Sequence, residues 1–104
     1  MRIGITGEKG FIAKNLANSI EQFGHEFVSF DNSEFAKNNM KYTESGEVCV
    51  HRNTTDDWIA LFKHHNLDVV VHNAAIVGTD VVALNPEESI DTNILGTKII
   101  TNAA

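Results

Sequence analysis

The sequence is poor in cysteine, proline and basic residues, and each shortage narrows what the protein can be. One cysteine in 104 residues, Cys49, excludes an internal disulfide and agrees with a reducing compartment. One proline and 42% hydrophobic residues exclude collagen, disulfide scaffolds and disordered tails. Lysine and arginine total 8 against 14 acidic residues, and the resulting charge of −6 disfavours binding to nucleic acid or to an anionic membrane.

Long apolar runs are lacking as well. None approaches the roughly 20 residues of a membrane span, and the N-terminus enters a strand pattern without the apolar segment of a signal peptide. No repeat, linker or low-complexity segment interrupts the chain, so we expect residues 1–104 to form one unit. These absences predict a small, acidic, cytoplasmic domain that contacts neither nucleic acid nor membrane.

The chain alternates between strand and helix patterns. Four apolar runs predict strands, at residues 2–6, 26–30, 47–51 and 68–72. Helix signals follow these strands: residues 11–23 closed by Gly24, a capping box of Thr54 and Asp57, and the helix start Asn85-Pro86-Glu87-Glu88. Residues 32–46 are a loop or short helix, and residues 76–84 a loop. Because the connections are too long for hairpins, we predict an α/β fold with a parallel sheet and right-handed crossovers.

Apolar spacing predicts which side of each helix faces the core. In the first helix the predicted face consists of Ile12, Leu16, Ile20 and Phe23. In the second helix it consists of Trp58, Leu61, Phe62 and His65. The stripe of the last helix is Ile90, Asn93, Thr97, Ile100 and Ala104. A buried amide must be hydrogen-bonded, so we expect Asn93 to tie this helix to a loop or strand end.

The turn after the first strand carries the clearest chemical signal. It runs Thr6-Gly7-Glu8-Lys9-Gly10-Phe11-Ile12-Ala13, between a strand and an amphipathic helix. Glycines there bring backbone N–H groups against a pyrophosphate at the positive end of the helix, although a purely conformational turn is the alternative. Asp31 follows Gly7 by 24 residues, where an acid accepts hydrogen bonds from ribose hydroxyls and repels a 2′-phosphate. No basic residue comes next, so NAD is favoured over NADP; a simple turn aspartate is the alternative.

Five motifs together resemble the NAD-dependent epimerase/dehydratase family, extended short-chain dehydrogenases/reductases that act on nucleotide sugars. They are the glycine turn, Gly24-His25-Glu26-Phe27-Val28 leading to Asp31-Asn32, Thr55-Asp56, His72-Asn73-Ala74-Ala75 and Asn93-Ile94-Leu95-Gly96-Thr97. The likeness covers essentially the whole chain, with the motifs in the family's order and spacing. It implies a Rossmann-type three-layer αβα fold with strand order 3-2-1-4, truncated before a fifth strand.

The resemblance also implies a set of cofactor-binding positions. The pyrophosphate is expected at the backbone around Gly7, Lys9, Gly10, Phe11 and Ile12. The ribose is expected at Asp31 and Asn32, and the small side chains of Ala74 and Ala75 would line the cofactor. Asn53 stands where the family usually has an aspartate that bonds the adenine amino group; a helix-entry turn residue is the equal alternative. Asn93 would help to organise the active site, with a purely structural tie as the alternative.

The catalytic residues of the resembled family are missing from this sequence. The family's proton transfer uses a serine or threonine and a Tyr-x-x-x-Lys pair, in which the lysine lowers the pKa of the tyrosine. The only tyrosine is Tyr42, and Gly46 stands four residues later, so we expect no turnover by this chain alone. The first hypothesis is the NAD-binding portion of a nucleotide-sugar epimerase or dehydratase. The alternatives are a stand-alone NAD(H)-binding or interaction module and a nucleotide-sugar reductase.

Two further expectations concern association and metals. In the strand order 3-2-1-4 the fourth strand is an open edge with apolar residues 69–71, which favours self-association. The sequence also has several histidines besides His25, namely His51, His64, His65 and His72. They show no ligand spacing accompanied by acids or cysteines, so no metal is expected.

Overall fold

The computed structural model describes residues 1–7, 11–30 and 53–104 of the chain. Three strands lie within them: β1 Arg2–Thr6, β2 Glu26–Ser29 and β3 Val69–His72. The helices are α1 Phe11–Gln22, α2 Thr55–His64, α3 Thr79–Leu84, α4 Pro86–Ile90 and α5 Gly96–Ala103, and a π-helical turn over Asp91–Leu95 joins the last two. The predicted strand 47–51 and the segment 32–46 lie outside the described residues.

The three strands form a parallel sheet in the order β2-β1-β3. The register places Ile3 of β1 beside Phe27 on one side and Val69 on the other. Because β3 is the strand predicted at residues 68–72, the described sheet agrees with the 2-1-4 part of the predicted order. The prediction of a parallel α/β fold is therefore confirmed. The chain places β2 on one side of β1 and β3 on the other, so the strand order reverses at β1.

One face of the sheet is covered by α1. Ile3, Ile5 and Phe27 point to this face and pack against the helix. The predicted core face of α1 is wrong at both ends, because Ile12 is 70% exposed and Phe23 is 77% exposed. The stripe that packs on the sheet is instead Ala13, Leu16, Ala17 and Ile20. Apolar spacing favours the larger residues, whereas small alanines allow a helix to approach a sheet closely.

The other face of the sheet is covered by α2 and α5. Its buried core consists of Phe30, Trp58, Leu61, Phe62 and Ile100. Phe30 meets Trp58 edge to face, with ring centroids 5.5 Å apart. Gly4 lies beneath this core, where a Cβ atom would come within 2.6 Å of Leu67 Cδ1 and 2.9 Å of Phe30 Cε2. Helices on both sides of one sheet give the three-layer αβα arrangement that the sequence predicts.

Local signals locate the ends of α1 and α2 as predicted. The backbone N–H of Asp57 donates to Thr54 Oγ1 at 3.1 Å, and the Asp57 carboxylate accepts from the Thr54 N–H at 2.9 Å. This capping box satisfies two backbone donors at the start of α2. Gly24, at φ +79°, ends α1, and the next N–H, of His25, donates to the Ile20 carbonyl at 3.0 Å.

The segment before the last helical run differs from the prediction of a loop over residues 76–84. This segment contains α3. Because no residue of α3 is buried, the sequence has no apolar periodicity that would predict the helix. Pro86 begins α4 as predicted, but the Asn85 side chain does not cap it. Instead Asn85 Nδ2 donates to the Val81 carbonyl of α3 at 3.1 Å. In the described parts of the chain, no helix has the length and apolar character needed to cross a bilayer.

The predicted core stripe of the last helical run is only partly correct. Ile100 is buried and Asn93 half-buried, but Ile90, Thr97 and Ala104 are exposed. The other buried positions are Ser89, Thr92 and Gly96. The prediction assumed one straight α-helix. The π-helical turn holds one extra residue, so the buried face of α5 is rotated about the helix axis relative to the buried face of α4.

Candidate functional site

The carboxyl ends of β1 and β3 meet at the point where the strand order reverses. In open α/β sheets a crevice opens outside the strands at such a point, and ligands bind there. The two strand ends are Thr6 and His72, which are neighbours in the register of the sheet. The chain leaves β1 through Gly7 towards α1, and leaves β3 through Asn73 and Ala74. These segments form the floor of the candidate site.

Gly7 is in direct contact with the exit of β3. Its φ of +72° belongs to the left-handed region, which residues with a Cβ atom rarely adopt. A Cβ atom at Gly7 would also lie 2.7 Å from Ala74 N and 2.8 Å from Asn73 C. Two independent constraints therefore require glycine here. This first glycine of the turn holds the two strand exits together, whatever ligand they contact.

Thr6 joins the same two segments by hydrogen bonds. Its side chain is only 1% exposed. Thr6 Oγ1 accepts from the backbone N–H groups of Asn73 and Ala74, each at 3.1 Å. The Asn73 N–H also reaches the Thr6 carbonyl at 3.2 Å. A third contact joins Thr6 Oγ1 to His72 Nδ1 at 2.7 Å. Thr6 thus organises the whole exit of β3.

His72 continues this network towards the last helical run. Its Nε2 lies 3.1 Å from Thr97 Oγ1, and the Thr97 hydroxyl donates to the Asn93 carbonyl at 2.7 Å. Burial lowers the pKa of His72 below the ordinary histidine value of 6.5. The neutral imidazole is therefore the form that this position favours.

Asn93 holds the loop that follows β3. Its Oδ1 accepts from the Ile76 N–H at 2.8 Å, and its Nδ2 donates to the Ile76 carbonyl at 2.9 Å. The amide thus pairs with both backbone groups of one residue, as a neighbouring strand would. This confirms the predicted tie between helix and loop, while a role for Asn93 in organising an active site stays a prediction.

Within the part of the chain that the structure describes, the first turn of α1 is exposed and carries no acid. Phe11 is 84% exposed and Ile12 70% exposed, and the first turn of the helix has no acidic residue. The first N–H groups of a helix have no partner within it and carry partial positive charge. By contrast, α2 begins with Asp56 and Asp57, which compensate that charge within the protein. A twelve-residue helix without such compensation can accept an external anion.

Asn73 presents an unsatisfied donor at the strand ends. Its Nδ2 is buried and has no hydrogen-bond partner among the residues that the structure describes. Buried amide groups are nearly always hydrogen-bonded in folded proteins, so such an atom indicates a missing partner. Next along the chain, Ala74 packs against the core of the α2 side, whereas Ala75 is exposed.

The remaining predicted site residues fall into two groups. Asn53 is 3% exposed and precedes the N-cap residue of α2, so it occupies the helix-entry turn; its proposed adenine contact stays a prediction. The others lie outside the described residues: Lys9, Gly10, Asp31 and Asn32.

Sequence reasoning missed three residues of the network: Thr6, His72 and Thr97. All three stand in the motifs that carry the family resemblance, but His72 was given a chemical role only as a rejected metal ligand, and no role was predicted for either threonine. In the described ranges no group of three histidine, cysteine or acidic residues could hold a metal ion. A threonine and a histidine that end two strands could have been paired only by knowing that those strands are neighbours.

Comparison with known proteins agrees with this geometry. The sequence profile of the NAD dependent epimerase/dehydratase family matches residues 3–104. A UDP-N-acetyl-alpha-D-glucosaminuronate decarboxylase from Bacillus cytotoxicus is 36% identical over 103 residues, which are 96% of this chain and 32% of that protein. The chain thus spans about a third of the length of this curated relative.

Two solved structures share the fold. The UDP-glucose 4-epimerase of Thermus thermophilus, in complex with NAD, superposes with a TM-score of 0.74 at 21% identity over 99% of this chain and 33% of that one. The dTDP-4-dehydrorhamnose reductase of Bacillus anthracis, in complex with NADP, gives 0.71 at 17% identity over 98% and 31%. Since the family profile covers almost every residue, this chain belongs to the NAD dependent epimerase/dehydratase family.

Proposed function

We propose that this chain is the NAD-binding portion of an oxidoreductase that acts on nucleotide sugars. The observation that carries the proposal is the exposed first turn of α1, which contains no acidic residue and follows Gly7 and the reversal point of the sheet. The backbone N–H groups of Phe11 and Ile12, with the turn through Lys9 and Gly10, would hold the pyrophosphate. When bound, NAD⁺ would accept a hydride from the sugar carbon that bears a hydroxyl group.

The residues at the strand ends fit a dinucleotide. The buried Nδ2 of Asn73 offers a donor that the described residues leave unused. The exposed Ala75 leaves room beside it, because its side chain is a single methyl group. Both features suit a ligand that lies across the ends of β1 and β3.

The preference for NAD over NADP rests on residues around the end of the second strand. Asp31 would accept hydrogen bonds from the adenosine ribose and repel a 2′-phosphate, with Asn32 beside it. Asn53 would contact the adenine, if its buried side chain becomes accessible on binding. Solved structures of the same fold hold NAD in one case and NADP in the other, so titration with both cofactors tests the preference.

The substrate class and the chemistry belong to the proposal as well. The relative from Bacillus cytotoxicus is a decarboxylase named for a nucleotide sugar, and we infer a substrate of the same class for the complete protein. The proton transfer needs groups beyond this chain, since Tyr42 has no lysine four residues later. We therefore expect cofactor binding without turnover by residues 1–104, in a cytoplasmic protein. A nucleotide-sugar reductase and a stand-alone NAD(H)-binding module remain the alternative hypotheses.

Calorimetric titration of the chain with NAD, NADP and AMP tests the proposal. Ile12→Glu places a carboxylate at the open end of α1, where it favours the helix but repels a pyrophosphate, so NAD affinity should fall about tenfold or more. Phe23→Glu makes the same apolar-to-acidic change at the far end of α1, at an equally exposed position, and should leave NAD affinity unchanged. Equal affinity of wild type and Ile12→Glu, or no binding of any nucleotide, would contradict the proposal.

A second pair of variants tests cofactor choice. Asp31→Ala should weaken NAD binding and narrow the difference between NAD and NADP, because the repulsion of the 2′-phosphate is removed. Asp56→Ala removes an acid from α2 and is the control for the loss of one negative charge. An unchanged NAD-to-NADP ratio in Asp31→Ala would overturn the assignment of Asp31.

A further inference from the structure

The hydroxyl group of Thr6 has all its hydrogen-bonding capacity in use. A threonine hydroxyl offers one donor and two acceptor lone pairs. The N–H groups of Asn73 and Ala74 donate to Thr6 Oγ1 and occupy both lone pairs. Only the hydroxyl hydrogen remains for the third neighbour, His72 Nδ1 at 2.7 Å. That nitrogen must therefore accept, which requires it to carry no hydrogen.

The other end of the imidazole is fixed in the same way. Thr97 uses its hydroxyl hydrogen on the Asn93 carbonyl at 2.7 Å, so towards His72 its oxygen can only accept. His72 Nε2, at 3.1 Å from that oxygen, must therefore carry a hydrogen. The two requirements agree on one species, the neutral imidazole protonated on Nε2. The hydrogen bonds then run in one direction, from Thr6 through His72 and Thr97 to Asn93.

This directed chain connects both ends of the loop after β3. Thr6 holds the start of the loop at Asn73 and Ala74, and Asn93 holds it again at Ile76. His72 joins these two holding points, because Thr6 belongs to the sheet and Asn93 to the last helical run. Its imidazole bridges the sheet end and that helical run, so its loss should change the spacing of the two segments that hold the loop.

We propose that His72 is a positioning residue of the nucleotide site, acting as a neutral imidazole that carries its hydrogen on Nε2. The inference deepens the proposed function and rests on it, because the crevice that His72 positions is the proposed NAD site. His72 does not touch the reacting atoms in this proposal. It acts through the backbone of residues 73–76, whose orientation it fixes.

Three substitutions at position 72 separate the two hydrogen bonds. His72→Phe keeps a ring of similar size and loses both of them. His72→Asn keeps an acceptor near the position of Nδ1 for the Thr6 hydroxyl. His72→Gln keeps a donor near the position of Nε2 for the Thr97 oxygen. His64→Phe, at an exposed position of α2, is the control for replacing a histidine by phenylalanine.

The first measurement is the tautomer of His72 in the 104-residue chain, from nitrogen-15 and proton NMR of the imidazole. The expected spectrum has an unprotonated Nδ1 and a protonated Nε2, with and without NAD. A protonated Nδ1 at neutral pH overturns the proposal. This measurement does not depend on nucleotide binding, so it remains decisive even if the chain does not bind NAD and the proposed function fails.

The second measurement is NAD affinity together with amide hydrogen exchange at Ala74 and Ile76. His72→Phe should weaken NAD binding about threefold to thirtyfold and speed exchange at both amides, since two hydrogen bonds are lost. Asn and Gln at position 72 should each restore part of the affinity, and His64→Phe should change neither quantity. If wild type binds NAD and His72→Phe binds it equally well, the positioning role is wrong while the proposed function stands. If His72→Phe does not fold, the Asn and Gln variants decide.

Discussion

Gly7 and Ala74 approach each other so closely that a methyl group on Gly7 would lie 2.7 Å from the Ala74 backbone nitrogen. The glycine that opens the turn proposed to bind the nucleotide is thus also a packing contact between the exits of β1 and β3. We therefore expect a substitution of Gly7 to change folding as well as any ligand binding. For this reason exposed positions such as Ile12 are better suited to test nucleotide binding.

Comparing two glycines isolates the packing part of this contact. Gly7 and Gly24 have similar φ values of +72° and +79°, but no atom lies within 4 Å of the Cβ position at Gly24. Gly24→Ala should lower the free energy of unfolding by about 1–2 kcal/mol, the cost of a left-handed alanine. Gly7→Ala should cost about 2 kcal/mol more, since overpacking is added. Urea unfolding measures the free energy of unfolding of both variants. Equal decreases would mean that the backbone after β3 moves away from the added methyl group at little cost.

The pairing of Asn93 with Ile76 should contribute measurably to stability. Asn93→Ala leaves the N–H and the carbonyl of Ile76 without partners, and a loss of about 1–3 kcal/mol is expected in urea unfolding. Asn93→Asp keeps an acceptor for the Ile76 N–H but places a carboxylate oxygen against the Ile76 carbonyl. Its free energy of unfolding should therefore stay below that of the wild type. Asn15→Ala removes an amide on the exposed side of α1 and should change stability by less than about 0.5 kcal/mol. Similar effects at positions 93 and 15 would contradict the importance of this pair.

Stability should fall on mild acidification. The pKa of His72 is lowered by burial, and that of His65 is lowered by burial first and then by the charges of His64 and Arg2. Both histidines therefore stay neutral in the folded chain at pH values where they become protonated in the unfolded chain. The unfolded state then binds more protons than the folded state. The histidine contribution to the free energy of unfolding is therefore fully present above pH 6.5, the ordinary histidine pKa, and decreases as the pH falls below it.

Urea unfolding from about pH 8 to about pH 5.5 measures this dependence. His72→Gln removes one of these two histidines and should make the free energy of unfolding depend less steeply on pH. His25→Gln, which replaces a histidine just before β2, is the control. A curve for His72→Gln as steep as that of the wild type would exclude His72 as a source of the pH dependence.

The edge formed by β3 is the expected route of self-association. Among the described strands β3 pairs with β1 alone, and Val69 is 43% exposed. Val69→Lys should reduce concentration-dependent association in sedimentation experiments, because a lysine on an edge strand opposes pairing with another chain. Val77→Lys, at a 74% exposed position outside the sheet, is the control. A chain that stays monomeric at every concentration would refute this expectation.

Features encoded by neighbouring residues could be predicted from the sequence. The first strand coincides with residues 2–6, and the capping box of Thr54 and Asp57 is formed as expected, since each depends on a few adjacent positions. The core face of α1 could not be predicted correctly, because the choice between Ile12 and Ala13 depends on how closely the sheet approaches. The short helix α3 buries no residue and so leaves no periodic pattern.

The candidate site was predictable in its location but not in its internal structure. The glycine turn indicated the strand end at which the candidate site lies, and the polar position of Asn93 on an apolar stripe indicated its hydrogen bonds to the loop. The bond between Thr6 and His72 joins residues 66 positions apart, and it exists only because β1 and β3 are neighbours. The family resemblance implied that these two strands are neighbours, but the meeting of these two side chains also depends on the register of the strands and on side-chain conformation, which no local pattern contains.

Trp58 is the only tryptophan of the chain, and it is fully buried on the α2 side of the sheet. Its fluorescence therefore reports on one of the two cores and not on the α1 side, where the open helix end lies. Loosening of the α2 layer should shift the tryptophan emission towards longer wavelengths, whereas a change confined to the α1 side should leave it nearly constant. The chain thus carries an intrinsic optical probe that separates loosening of the α2 layer from changes confined to the α1 side.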